Sequence, residues 1–106
     1  MTTEPFLQRI LLVDDSPDDR LLAIREIHRE FPQIEIQEAA ILAEFYEALE
    51  ADGFDLVITD YELNWTTGLD ILRMVKAHNP DCPIIMFTNS GSQEIAVEAM
   101  KGGLDD

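Results

Sequence analysis

The sequence predicts an α/β fold in which a parallel β-sheet is covered by helices on both faces. Four short β-rich runs alternate with four stretches of helical apolar spacing, and neighbouring parallel strands need a crossover that is usually a helix. With 106 residues the chain can build one hydrophobic core and is too short for two. We therefore expect a single three-layer domain.

The predicted strands are short runs rich in branched and aromatic residues. The first, third and fourth are almost continuously apolar, which is typical of strands buried on both faces of a parallel sheet. The second alternates, so we expect it at an edge of the sheet with one face wetter. The four runs are RILLV (9–13), IEIQE (34–38), FDLVITD (54–60) and PIIMFT (83–88).

The predicted helices carry apolar residues three and four positions apart. The first begins at SPDD (16–19) and the third at TGLD (67–70), and both sequences fit a capping box. Pro17 suits the first helical position, and we interpret Asp18 and Asp19 as first-turn acids that complement the helix dipole. The apolar stripes are Leu21, Ile24, Ile27 and Phe31; Leu42, Phe45, Tyr46 and Leu49; Leu69, Leu72 and Val75; and Ile95, Ala96, Ala99 and Met100.

The charge of the chain argues against two kinds of partner. The chain has seven Lys and Arg residues and 22 Asp and Glu residues, which gives a net charge of −15. This charge repels nucleic-acid backbones and anionic membrane surfaces. Cys82 is the single cysteine, and there is neither a signal peptide nor a long apolar span. We expect a cytoplasmic domain without nucleic-acid or membrane contacts.

Acidic residues follow two of the predicted strands. Asp14 and Asp15 end the first strand and Asp60 ends the third, and ligands of open parallel sheets collect beyond the carboxyl ends of strands. If these strands are neighbours, the three carboxylates line one crevice. At about 5 Å and an effective dielectric near 20, each pair of like charges costs roughly 3 kcal/mol, so a cation or a bound proton is needed. Oxygen ligands without nearby Cys or His favour Mg²⁺.

Asp60 is also a candidate nucleophile. A carboxylate beside Mg²⁺ can attack phosphorus and form an acyl phosphate. Asp60 ends a central strand, and Thr88 ends the predicted fourth strand, where its hydroxyl could donate to a phosphoryl oxygen. A simpler interpretation is that the aspartates are solvated acids of surface loops and that Thr88 only reflects the preference of threonine for strands. Acids at neighbouring strand ends favour the metal site.

The motifs LLVDDS (11–16), DLVITDYEL (55–63) and PIIMFTNSGSQEIAVEAMKGGLDD (83–106) resemble the receiver domains of bacterial two-component response regulators. The resemblance covers nearly the whole chain. It implies a flavodoxin-like, doubly wound sheet with strand order 2-1-3-4-5. It also implies a signalling domain that catalyses at most its own phosphorylation and dephosphorylation.

The same resemblance implies roles for individual residues. Asp60 would accept a phosphoryl group from a histidine kinase or phosphotransfer protein. Asp15 and Asp60 would bind Mg²⁺ together with the backbone carbonyl of Glu62, while Asp14 would act mostly through water. Thr88 would be the switch hydroxyl.

The chain also departs from the family pattern. It ends at Asp106, before the family's lysine and aromatic switch residue, so we expect residues 1–106 to be a receiver domain truncated before strand five. An uncovered apolar edge on strand four would then favour pairing of two copies. Asn89 replaces a small residue, and LNWTTGL (63–69) replaces a loop that often reads Met-Pro-x-Met-Asp-Gly-Leu.

Alternative interpretations stay open at this point. A degenerate receiver that binds partners without phosphotransfer would account for Asn89 and the missing lysine. A Mg²⁺-dependent phosphatase with an aspartyl nucleophile usually has two aspartates one residue apart on its first strand, whereas VDDS (13–16) has them adjacent. A flavin or dinucleotide binder would need a hydroxyl-rich or glycine-rich phosphate loop there. Trp65 either packs onto the third helix or lies exposed near the metal.

Overall fold

Strands and helices alternate along the chain, as the sequence predicts. The computed structural model describes residues 8–51 and 53–87. Within them the elements are β1 (Arg9–Val13), α1 (Pro17–Glu30), β2 (Glu35–Ala39), α2 (Leu42–Ala51), β3 (Leu56–Asp60), α3 (Gly68–His78) and β4 (Ile84–Phe87). The helix predicted around residues 95–100 lies outside the described residues.

The four strands form one parallel sheet in the order β2-β1-β3-β4. The α/β, flavodoxin-like fold is therefore confirmed, and the alternating strand β2 lies at an edge as predicted. In the pairing of β1 with β3, Val13 lies opposite Thr59. Asp14 and Asp60 are the next residues on these neighbouring strands, so both leave the sheet at the same end.

Successive residues of β1 point to opposite faces of the sheet and join two separate apolar layers. Leu11 and Val13 pack with α2 and α3, whereas Ile10 and Leu12 pack with α1. All four side chains are fully buried. The sheet is thus covered on both faces, which explains the continuous apolar run in this strand.

The helices lie on the sheet through faces that only partly follow the predicted stripes. Ile27, Phe45 and Val75 are buried as predicted, but Leu21 and Tyr46 are 56% and 49% exposed. Small residues take their place against the sheet, because a helix can approach a sheet more closely where its side chains are short. These buried small residues are Ala23, Ala48 and Gly68.

Candidate metal centre at the carboxyl ends of the strands

Three carboxylates meet where β1 and β3 end. Asp14, Asp19 and Asp60 each bring one oxygen to a cluster in which all three oxygens lie within 4.8 Å of one another. Asp14 follows β1, Asp60 is the last residue of β3, and Asp19 lies in the first turn of α1. The structure therefore brings Asp14 and Asp60 together and adds Asp19, to which the sequence interpretation gave only a helix-dipole role.

Asp14 is fully buried and has one unsatisfied oxygen. Its Oδ1 accepts a hydrogen bond from the Ser16 amide (2.9 Å), while Oδ2 is the one buried side-chain oxygen or nitrogen without a hydrogen-bond partner in the described part of the chain. Burial raises the pKa of Asp14 from 3.8 to about 6; the charges of Asp60, Asp19 and Asp15 also raise it, and the Ser16 hydrogen bond opposes them. Buried polar atoms are normally paired, so this oxygen is suited to a cation, a hydrogen-bond donor or a bound proton.

Asp60 lies at the mouth of the same cluster and is half-buried. Burial raises its pKa, as do the charges of Asp15 and Asp19, whereas hydrogen bonds from the Glu62 and Tyr61 amides lower it. The Glu62 amide donates to Asp60 Oδ1 at 3.4 Å. A carboxylate that is held by backbone amides and is still open to solvent is suited to react with an incoming group.

Asp15 takes a different position from the other acids. Its carboxylate accepts a hydrogen bond from the backbone amide of Asn64, in the loop between β3 and α3. Two backbone interactions close that loop. The Leu63 amide donates a hydrogen bond to the Thr66 carbonyl (3.1 Å), and Glu62 and Thr67 form an isolated antiparallel β-bridge. Asp15 thus connects the end of β1 to the loop that follows Asp60.

Trp65, in the same loop, packs towards α2. Its Nε1 donates to the Ala40 carbonyl (2.9 Å), and its ring centroid lies 6.2 Å from that of Phe45. The ring is partly buried against the apolar layer. The described polar and ring partners of Trp65 therefore lie on α2 and on the residue after β2, within an apolar layer to which α3 also contributes.

Arg20 was not singled out from the sequence, yet it supports the end of β1. Its Nη1 donates to the Asp14 carbonyl and its Nε donates to Glu38 Oε1, both at 2.8 Å. Arg20 therefore ties α1 to the ends of β1 and β2. An arginine seven residues after the last residue of β1, near the start of the following helix, is the only sequence signal for this role.

The remaining predicted site residues are less fully described. Thr88 lies outside the described residues. The backbone carbonyl of Glu62, like the metal-binding roles of Asp14, Asp15 and Asp60, stays a prediction.

The donor set fits a hard divalent cation. Around a magnesium ion, opposite ligand oxygens lie about 4.2 Å apart and adjacent ones about 3.0 Å apart; across a calcium ion the distance is about 4.8 Å. The three clustered oxygens, all within 4.8 Å of one another, could bind one such ion if they moved closer together. The ion would also be a partner for Asp14 Oδ2, which has none among the residues that the structure describes.

Comparisons with known proteins assign this fold to a family of signalling domains. Residues 10–106 match the family of the response regulator receiver domain, and the chain belongs to this family. The chain is 35% identical over 99 residues to the response regulator protein PilR of Pseudomonas aeruginosa, which covers 93% of the chain and 22% of PilR. It is 32% identical over 108 residues to the two-component response regulator ORR1 of Oryza sativa, covering 92% of the chain and 47% of ORR1.

Solved structures agree with this assignment. The response regulator protein TrrA from Thermotoga maritima, in complex with Mg²⁺ and beryllium fluoride, has a TM-score of 0.76 at 25% identity, covering 92% of this chain and all of TrrA. A CheY-like receiver domain from Methanospirillum hungatei has a TM-score of 0.69 at 29% identity, covering 93% of this chain and 78% of that one. In residues 8–51 and 53–87, none of the helices combines the length and apolarity that a membrane span requires.

Proposed function

We propose that this domain is the phosphoacceptor receiver of a two-component phosphorelay and that Asp60 carries the phosphoryl group. A histidine kinase or phosphotransfer protein is the donor. The observation that carries the proposal is the position of Asp60, half-open to solvent, in one cluster with the buried Asp14 oxygen that has no hydrogen-bond partner among residues 8–51 and 53–87. Such a pair can bind a cation and present a nucleophile on the same side of the sheet.

The reaction needs one nucleophile and one leaving group. A carboxylate oxygen of Asp60 attacks the phosphorus of a phosphohistidine, and a P–O bond forms while the P–N bond breaks and its electron pair goes to the imidazole. The amides of Glu62 and Tyr61 hold the attacking carboxylate in place. A bound Mg²⁺ would reduce the repulsion between the negatively charged phosphoryl oxygens and the carboxylates of the site.

The product would act as a switch. An acyl phosphate on Asp60 adds roughly one negative charge, which in the family pattern draws the hydroxyl predicted at Thr88 and changes the surface offered to partners. The domain would act in the cytoplasm. Pairing of two copies of the domain stays a prediction. A solved relative, TrrA, is in complex with Mg²⁺ and beryllium fluoride, which supports the same chemistry here.

Trp65 gives a direct test because its loop begins at the residue after Asp60. We expect beryllofluoride with Mg²⁺ to change Trp65 fluorescence in a saturable way. Asp60→Asn, which keeps the shape of the side chain, should abolish the change. Trp65→Phe should remove the signal and thereby identify its source. A protein that folds but shows no response to beryllofluoride or acetyl phosphate would favour the degenerate receiver that binds partners without phosphotransfer.

A further inference from the structure

Helix α2 exposes neighbouring apolar side chains on the side that faces away from the sheet. Ile41, the residue before the helix, is 53% exposed, and Leu42 and Tyr46 are 36% and 49% exposed. Scattered apolar residues on a surface need no explanation, but neighbouring ones exposed together indicate an interaction surface. The residues of α2 that are buried against the sheet are Phe45, Ala48 and Leu49.

The exposed apolar residues of α2 continue into exposed acids. Leu42, Tyr46 and Glu50 follow one another at intervals of four residues, so they form one row on the helix, about 12 Å from the first to the last. Glu47 lies three residues before Glu50 and is also exposed. We call Ile41, Leu42, Tyr46, Glu47 and Glu50 the α2 patch. It is apolar at the start of the helix and acidic at the end.

The acidic part of the α2 patch is unfavourable for the helix that carries it. Glu44, Glu47 and Glu50 are spaced three residues apart, and like charges at this spacing repel each other on a helix. Glu44 has a local role, because it accepts the Ala40 amide at 2.7 Å. Glu50 lies in the last turn, where the helix dipole disfavours negative charge and where no basic residue is present. Such local conflicts are expected at functional surfaces.

The cations of the chain do not neutralise these two acids within residues 8–51 and 53–87. Neither Glu47 nor Glu50 forms an ion pair there. On the same side of the sheet, Arg73 pairs with an acid of its own helix, and Lys76 donates to backbone carbonyls beyond the end of α3. Among residues 1–7, 52 and 88–106 the only cation is Lys101. The complementary charge is therefore expected from another molecule.

The composition of the α2 patch selects one kind of partner. A second copy that presented the same face would bring the same acids and be repelled, and nucleic acids and anionic lipids are negatively charged as well. A cationic amphipathic helix matches both parts of the patch. Its apolar side chains would cover Ile41, Leu42 and Tyr46, and Lys or Arg about one turn further along would pair with Glu47 and Glu50.

We propose that the α2 patch docks a cationic amphipathic helix of a partner protein. The apolar side chains form the centre of this interface, and the ion pairs at its edge set the orientation of the bound helix. The inference goes beyond the proposed function, because none of the patch residues belongs to the acidic cluster at the strand ends. Its test needs neither Mg²⁺ nor a phosphoryl donor.

Fluorescence anisotropy with a dye-labelled synthetic peptide tests this docking. The probe is a capped peptide of about 15 residues, with two leucines four residues apart and two arginines one turn further along the same face. We expect saturable binding of this peptide, and no binding of a peptide in which glutamates replace the arginines. Ile41→Ser should weaken binding by about fivefold or more, through lost apolar contact. The double variant Glu47→Gln, Glu50→Gln should weaken it by about tenfold or more.

Matched substitutions elsewhere separate the α2 patch from general effects. Leu21→Ser replaces a similarly exposed residue (56%) on α1, which packs on the other face of the sheet. The double variant Asp18→Asn, Asp81→Asn removes two exposed charges that lie outside α2. Both controls should bind the peptide within about twofold of the wild type, because distant charges are screened.

Urea unfolding separates a loss of binding from a loss of folding. Removing two acids that repel each other relieves α2, so the double variant Glu47→Gln, Glu50→Gln should unfold at no lower urea concentration than the wild type. A variant that keeps its stability and loses the peptide would support docking at the α2 patch.

Three results would overturn the inference and leave the phosphoacceptor role of Asp60 untouched. The first is a loss of binding in the control variants as large as in the α2 variants, which would mean that the peptide responds only to net charge. The second is equal binding of the arginine and glutamate peptides. The third is the absence of saturable binding of the arginine peptide to the folded wild type.

Discussion

The backbone of Asp60 lies directly against Gly68, the first residue of α3. A β-carbon at Gly68 would come within 2.9 Å of the Asp60 carbonyl oxygen and of the Tyr61 Cα, and within 3.0 Å of Met86 Sδ. The Gly68 amide donates to the Tyr61 carbonyl at 2.7 Å. The end of the strand that carries the proposed phosphoacceptor therefore keeps its place only if α3 begins without a side chain.

Replacing Gly68 by Ala should disturb both stability and the site. Two of the three close atoms are backbone and cannot rotate away, so we expect a loss of about 1–3 kcal/mol in the free energy of unfolding. The forced shift of Asp60 should also weaken the response of Trp65 fluorescence to beryllofluoride. Urea unfolding and a beryllofluoride titration measure the two effects.

Gly53 offers a matched control at the opposite end of the sheet. It has a φ of 89°, in the region that favours glycine, so Gly53→Ala should cost about 1 kcal/mol through backbone strain. This variant should bind beryllofluoride as the wild type does. If Gly68→Ala also kept wild-type binding after a similar loss of stability, the close approach to Asp60 would have no functional role.

The raised pKa of Asp14 predicts how stability changes with pH in the absence of metal. The pKa is about 6 in the folded state and 3.8 in its ordinary environment, so the folded state holds the proton more tightly. This contribution to stability is fully present below pH 3.8 and is lost as pH rises through about 6. We expect the free energy of unfolding, measured with urea in the presence of EDTA, to fall as the pH rises through that window.

Asp14→Asn should remove this part of the pH dependence. The variant should be more stable than the wild type at pH 7 without metal, by about 1–3 kcal/mol, because an amide that can donate replaces a buried anionic oxygen that has no partner in the described part of the chain. Asp81→Asn changes the net charge equally in the loop before β4 and should leave the slope unchanged. If the free energy of unfolding fell with rising pH equally in Asp14→Asn and Asp81→Asn, Asp14 would not be the cause of the pH dependence.

Arg20 should contribute more to stability than an exposed ion pair. Its side chain is 17% exposed and binds both the Asp14 carbonyl and Glu38, whereas Arg73, paired with Asp70 within α3, is 72% exposed. We expect Arg20→Ala to cost about 1–2 kcal/mol and Arg73→Ala less than about 0.5 kcal/mol in urea unfolding. Equal costs would mean that Arg20 does not hold the strand ends together.

The fold could be predicted from the sequence because its signals are local. Continuous apolar runs indicated the central strands, and the edge position of β2 followed from its alternation. The exposure of Leu21 could not be predicted, because Ala23 is the residue that contacts the sheet and apolar spacing alone does not distinguish the two.

The candidate site could be predicted only where residues end strands. Asp14 and Asp60 follow neighbouring strands and were expected to meet. Asp19 was missed because a first-turn acid has a sufficient explanation in the helix dipole, although its lean towards the helix start was the available signal. The bond between Asp15 and the Asn64 amide joins distant parts of the chain through a backbone group, so no side-chain pattern could indicate it.

Intact-mass spectrometry of the protein after incubation with acetyl phosphate tests the central claim most directly. With Mg²⁺ present, we expect the wild type to gain the mass of one phosphoryl group, with fragmentation locating it on Asp60. Asp60→Asn, and the wild type in EDTA, should gain none. A folded protein that gains no phosphoryl group with Mg²⁺, or one that gains it equally in Asp60→Asn, would contradict the account.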